Sequence, residues 1–373
     1  MNSENPKFVP YGGLPDTIHE IATYGVTKTR LSFGQLFVLG FIAASYLSFA
    51  TTLSIVAGAG VETPGIQKLV MGLVFPIGLI SLVIGGGEMW TGTAMNAPVA
   101  GMTGRVAWKA VLYTLIGSYA GNFVGGFFCA WLLIKGSNVI VGPGYTNEVW
   151  AQLLHKISLM KSSLTFSQAF WRAFACVWLV DLAVYLSFRS KETVGKFFLI
   201  WFPTATFFTI GLEHSVVNMF LIPAGIMAGA EITWGQFLFY NQLPVTLGNA
   251  AAGAVCLGLG YWYSAGMPLL KNSDAAKGGK YEDYFNTHPD YVHGDNGYLM
   301  KTIGATLGVI VMFTLLCPGV GSLIAYFFLE GLPDVKSVVP AAEGGFSIFG
   351  EPIIVIAYFT VLSAVAARIW RRT

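Results

Sequence analysis

Apolar runs of about 20 residues, the length that spans a bilayer as a helix, recur along almost the whole chain. The first is GQLFVLGFIAASYLSFATTLSIVA, residues 34–57, with no charged residue in it. Hydrocarbon offers backbone amides no partner, so such runs fold as helices that satisfy their own hydrogen bonds. Spans are expected at 34–57, 69–102, 106–133, 166–188, 197–228, 243–264, 302–328 and 351–369. The charged fraction of 11% agrees, since a soluble domain carries roughly twice that. The fold class is all-α and integral to the membrane, with lipid as its surroundings.

Charge places the loops. Of 21 Lys and Arg, six (Lys68, Lys135, Lys156, Lys161, Arg172 and Lys336) fall on one side of an eight-span topology or in the adjoining part of span four. The other fifteen fall on the opposite side, which the positive-inside rule makes cytoplasmic, with both termini there. Residues 1–33 read as a cytoplasmic segment whose Pro15–Gly25 stretch forms a short helix on the membrane face. No apolar core follows a basic start there, so no cleaved signal is expected. The remaining parts are a pore-forming unit at 34–270, a hydrophilic loop at 271–301 and an extension at 302–373 with two spans, the first kinked at Cys317-Pro318-Gly319.

Several classes drop out. A net charge of +2 without basic-aromatic runs excludes nucleic acid as a partner. Cys129, Cys176, Cys256 and Cys317 lie in apolar segments without CxxC spacing and read as packing residues. HPDYVHGD (288–295) offers two His and two Asp, and reads as a solvated loop, not a metal site. The spans lack clustered histidines or other cofactor ligands, so neither an enzyme nor an electron carrier is expected, and no cofactor or metal.

Two spans are interrupted. VFPIGLISLVIGGGEMWTG (74–92) and WFPTATFFTIGLEHS (201–215) share Phe-Pro, an apolar stretch, glycine and then a glutamate, Glu88 or Glu213. Each is followed in the next span by Gly-Asn, in SYAGNFVGG (118–126) and VTLGNAAAG (246–253). Spans one to three thus match spans four to six, and three crossings per unit make the two copies antiparallel. Inverted repeats with broken helices are a transport architecture, their frayed ends facing a midplane site. The glutamates are expected to accept from amides freed at each restarting helix. His214, an ionisable ring at one break, is the candidate for binding or proton transfer.

GGEMWTG (86–92), GLEHSVVNMFLIPAG (211–225) and LPVTLGN (243–249) resemble three signatures of the formate/nitrite transporter family, and the likeness covers about residues 10–270. It implies an aquaporin-like protomer with its own pore, in a homopentamer. By the same resemblance His214 is the pore histidine and Thr91 its partner on the opposite break. Glu213 and Asn218 flank it, Asn122 and Asn249 are the asparagines of spans three and six, and Lys161 stands in the outer vestibule. Phe75, Leu79, Met89, Trp90, Val180 and Phe207 fall on apolar constrictions. The chain departs from the pattern at Trp90, usually phenylalanine; at Val177, often asparagine; and at Asp181, expected to pair with Arg172 or lie at an interface. Spans seven and eight are additions.

The implied activity is passage of a small monovalent anion, formate first, with His214 coupling it to protons or gating it. Nitrite, hydrosulfide, acetate and lactate stay open as substrates, as does a role as accessory subunit of a respiratory complex.

Overall fold

The computed structural model describes residues 12–143, 148–269 and 292–320. Among them seven helices are long and apolar enough to cross a membrane. The eighth expected span, 351–369, and most of the 271–301 loop lie outside the described residues.

The first half begins with α1 (Leu14–Thr29) and α2 (Phe33–Gly58). It continues through α3 (Pro64–Val74) and α4 (Ile77–Gly85), which form one crossing bent where Pro76 withholds an amide. After a break comes α5 (Trp90–Met102), and α6 (Trp108–Trp131) crosses again. The second half repeats the order: α7 (Glu148–Ser162), α8 (Phe166–Arg189), α9 (Thr193–Ile210), a break, and α10 (Ser215–Met227). Its last crossing, Gln236–Ser264, alternates π-helical stretches (Gln236–Gln242 and Ala251–Leu259) with α11 (Leu243–Ala250) and α12 (Gly260–Ser264). A two-residue hairpin ladder, Pro268–Leu269 against Val292–His293, then leads to α13 (Asn296–Thr314). Its N-terminus is held by the Asp295 side chain accepting from the Tyr298 amide.

Both halves start their first crossing with the same device. Ser32 and Gln35 cap α2 reciprocally, as Thr165 and Gln168 cap α8. Small residues let α2 and α6 approach closely, with Gly40 against the α6 backbone and Gly121 against Phe37. The outward stripe of α2 is Val38, Ile42, Tyr46, Phe49 and Leu53, as suits a helix turned to lipid or another subunit.

Three expectations change. Helix α1 runs to Thr29, beyond Gly25, and is docked: Ile18, Ile21 and Ala22 are buried against Met95, Val99 and Met102. Helix α7 has no counterpart among the expected elements, because its mixed polarity hides it between spans. At Cys317-Pro318-Gly319 the helix passes into a π-helical stretch, Leu315–Val320, which accommodates the missing proline amide.

Candidate functional site

The two breaks are built alike. Gly86 ends α4 and Gly211 ends α9, each in the left-handed region (φ 84° and 78°) where a side chain would be strained. The restarting helices α5 and α10 are then tied down by an asparagine from the following crossing. Asn122 Oδ1 accepts from the Trp90 amide (2.8 Å), while its Nδ2 donates to the carbonyls of Glu88 and Gly40 (2.8 Å each). Asn249 does the same with the Ser215 amide (2.8 Å) and the carbonyls of Glu213 (3.1 Å) and Ala173 (2.8 Å). Asn122 and Asn249 therefore brace the breaks.

The glutamates do not cap these helices. Both side chains are buried and paired with lysines. Glu213 Oε1 meets Lys161 Nζ at 2.9 Å, and its Oε2 accepts from Asn218 (2.7 Å) and Asn241 (3.2 Å). Glu88 meets Lys28 Nζ at 3.0 Å and accepts from the Thr93 hydroxyl. A full charge at this depth is met by a full countercharge, which fractional helix-end charge does not supply. Lys161 is 7% exposed and also donates to the Leu212 carbonyl (3.1 Å), so its ammonium is spoken for.

Lys28, Thr93 and Asn241 were not expected at the site. For Lys28 the signal was present: KTRLSFGQ (28–35) and KSSLTFSQ (161–168) share Lys-x-x-Leu-Ser/Thr-Phe-x-Gln, so each lysine precedes its helix cap by four residues. Asn241 lies in the Gln236–Gln242 π stretch and bridges Glu213, Asn218 and the Lys161 carbonyl.

His214 joins the two breaks. Its Nδ1 accepts from the Val217 amide (3.3 Å), capping α10, and its Nε2 lies 3.2 Å from Thr91 Oγ1 on α5. A backbone amide only donates, so Nδ1 carries no proton, and the neutral ring holds its proton on Nε2. That N–H donates to Thr91, leaving the threonine hydroxyl proton free to donate elsewhere. The Phe207 ring lies nearly parallel to the imidazole, centroids 5.9 Å apart.

Two cavities flank this contact. One, of about 150 Å³, is lined by Phe207, Phe208, His214, Val217 and residues of α3 and α7, including Lys161. The other, of about 140 Å³, is lined by Lys28, Leu82, Met89, Gly92, Asn96 and Val184. Phe75, Leu79, Thr91 and Val180 are buried and line neither; Phe75 stacks on Phe208 with centroids 4.0 Å apart. His214 of the contact thus lines the first cavity, and Met89 and Gly92, which bracket Thr91 in the chain, line the second.

Trp90 lies elsewhere than with Met89 and Phe207. Its indole stacks on Phe313 of α13 (5.0 Å) and meets Tyr119 edge-on (5.5 Å), lining neither cavity. The larger ring fills the seam that the seventh span closes. Asp181 is fully buried, and neither carboxylate oxygen has a hydrogen-bond partner among the described residues, so the expected pairing with Arg172 is not made. Val177 is a buried core residue. Among the described residues no three His, Cys, Asp or Glu side chains cluster as metal ligands.

Known proteins resemble this chain. The family model described as formate/nitrite transporter matches residues 15–263. A probable formate transporter of Methanothermobacter thermautotrophicus is 37% identical, over 67% of this chain and 95% of its own. Formate channel FocA of Haemophilus influenzae is 33% identical over 69% of this chain and 97% of its own, and nitrite transporter NirC of Escherichia coli is 31% identical over 67% and 91%. Among solved structures, an FNT family ion channel matches with a TM-score of 0.61 at 30% identity, covering 67% of this chain and 98% of that one. A pentameric formate channel with formate bound matches with a TM-score of 0.55 at 28% identity, covering 62% and 97%. The chain belongs to the formate/nitrite transporter family.

Proposed function

We propose that this protein passes small monovalent anions, formate foremost, along a path within each protomer that joins the two cavities through the His214–Thr91 contact. The observation that carries the reading is that contact itself: two polar side chains, one from each helix break, meeting amid apolar rings. Bare anions are disfavoured in such a duct. A weak acid's anion gains by taking a proton as it leaves water, because a low-dielectric surround favours the neutral form. The Thr91 hydroxyl, backed by the His214 Nε2–H that donates to it, is the donor at that point. The same geometry limits the histidine's role, since a relay through both ring nitrogens requires Nδ1 to leave the Val217 amide.

The repeated pattern of capped crossings, left-handed glycines, bracing asparagines and buried Lys–Glu pairs supports two copies of one unit inserted antiparallel. With the amino terminus cytoplasmic, the larger cavity opens outward and the Lys28 cavity inward. By likeness to the pentameric relative, five protomers form the assembly, with the spans after residue 301 on its rim.

The test is uptake by proteoliposomes across a pH series, with formate, nitrite, hydrosulfide, acetate and lactate in competition. Formate is expected to compete best, with flux rising on acidification. His214→Ala is expected to lose the pH response, and an unchanged profile refutes the donor role. Uptake no faster than in empty liposomes refutes transport by the chain alone and favours an accessory subunit.

A further inference from the structure

The cavity beside His214 has three lysines on its wall, Lys68, Lys156 and Lys161, and no carboxylate among the described residues. Of these, Lys161 is neutralised at 2.9 Å by Glu213, which itself does not line the cavity. Lys68 and Lys156 are exposed and make no ion pair among the described residues. Lys68 reaches from α3 to the break: its Nζ lies 3.0 Å from the point a Cβ on Gly211 would occupy, at the C-terminal end of α9. Helix ends of that polarity attract cations, which holds the ammonium over the cavity floor. Lys156 stands on the α7 wall of the same cavity.

We propose that Lys68 and Lys156, not Lys161, form the electrostatic collector that draws the anion to His214. This rests on the transport reading above. A unit charge about 10 Å away through water changes the local anion concentration about twofold, so the pair contributes about fourfold at low salt. The Debye length falls from about 30 Å at 0.01 M to about 3 Å at 1 M, so the effect vanishes at high salt. The expected signature is kinetic: capture changes, while passage through the constriction does not.

The experiment measures formate uptake by full-length protein in proteoliposomes, comparing wild type with Lys68→Gln/Lys156→Gln and Lys68→Arg/Lys156→Arg at both salt concentrations. The Gln pair is expected to raise the half-saturating formate concentration about fourfold at low salt, with the maximal rate unchanged and no difference at 1 M. The Arg pair is expected to match wild type. Coincident wild-type and Gln-pair curves at low salt overturn the proposal, as does an equal loss at both salt concentrations. If wild type moves no formate, the transport reading falls and this proposal with it; if wild type transports and the Gln pair is indistinguishable, this inference alone fails.

Discussion

Lys161→Met removes the cation from a fully buried carboxylate, and the structure sets the size of the effect. Glu213 is 0% exposed and has three donors: Lys161 Nζ at 2.9 Å, Asn218 at 2.7 Å and Asn241 at 3.2 Å. The substitution leaves two neutral amides to support an unpaired buried charge, a loss of about 4 kcal/mol within the range for breaking buried pairs. Glu213→Gln is milder, about 2 kcal/mol, because Lys161 keeps the Leu212 carbonyl at 3.1 Å and borders a cavity into which its flexible stem can turn. The double variant removes both charges and loses about 3 kcal/mol, mainly amide geometry, so the two losses couple by about 3 kcal/mol.

Denaturant unfolding in detergent micelles, followed by tryptophan fluorescence, measures all three variants against wild type. The Lys161 variant is less stable than the Glu213 variant, and the double variant is more stable than the sum of the singles implies. Additivity within about 0.5 kcal/mol refutes the pairing. The reverse order of the singles refutes the argument from burial. The Lys28–Glu88 pair, with side chains 6% and 3% exposed, is expected to couple as strongly with less difference between its singles.

Asn249→Ala strips hydrogen bonds from the Ser215 amide and the Glu213 and Ala173 carbonyls, for a loss of about 3 kcal/mol at about 1 kcal/mol per bond, and Asn122→Ala is expected to match it in the same unfolding assay. Phe313→Ala opens a cavity beside Trp90 at about 3–5 kcal/mol and shifts the indole emission, while formate uptake keeps more than half its rate because neither ring lines either of the two cavities described above. His19, outside the spans, is held down from 6.5 to about 4 by burial and then by the Arg105 charge. Between those values the unfolded chain binds the proton and the folded chain does not, so stability falls by about 2–3 kcal/mol as the pH drops through that window. His19→Gln is expected to flatten that slope in unfolding measured from pH 7 to pH 4.

Much of this architecture was legible because hydrocarbon leaves a chain few options. Apolar length placed the crossings, and a glycine followed by an ionisable residue in mid-span placed both breaks. His214 and Thr91 were singled out by their breaks and by resemblance, and the structure brings them to 3.2 Å. Helix α7 escaped because its sequence, EVWAQLLHKISLMKS, has neither the apolar run of a span nor a strong stop signal. A six-span pattern puts Trp90 at a constriction, and a sequence read span by span does not show that a seventh helix supplies Phe313 as its stacking partner.

The capping of the broken helices shows where local reading fails. Helix-start rules look for a cap within a few residues of the first turn; His214 meets that rule at the Val217 amide, whereas Glu88 and Glu213, the acids beside the two breaks, do not cap. In the structure the bracing oxygens come from Asn122 and Asn249, 32 and 34 residues from the amides they accept. The assignment follows from charge. An orphan amide carries a fraction of a charge, and a neutral carbonyl oxygen is enough for it. A buried carboxylate needs a whole countercharge, so once Lys28 and Lys161 are within reach the acids go to the lysines and the amides to the asparagines. Because Lys-x-x-Leu-Ser/Thr-Phe-x-Gln stands before the first crossing of each half, both lysines arrive at matching places, and the division of labour repeats on both sides of the His214–Thr91 contact.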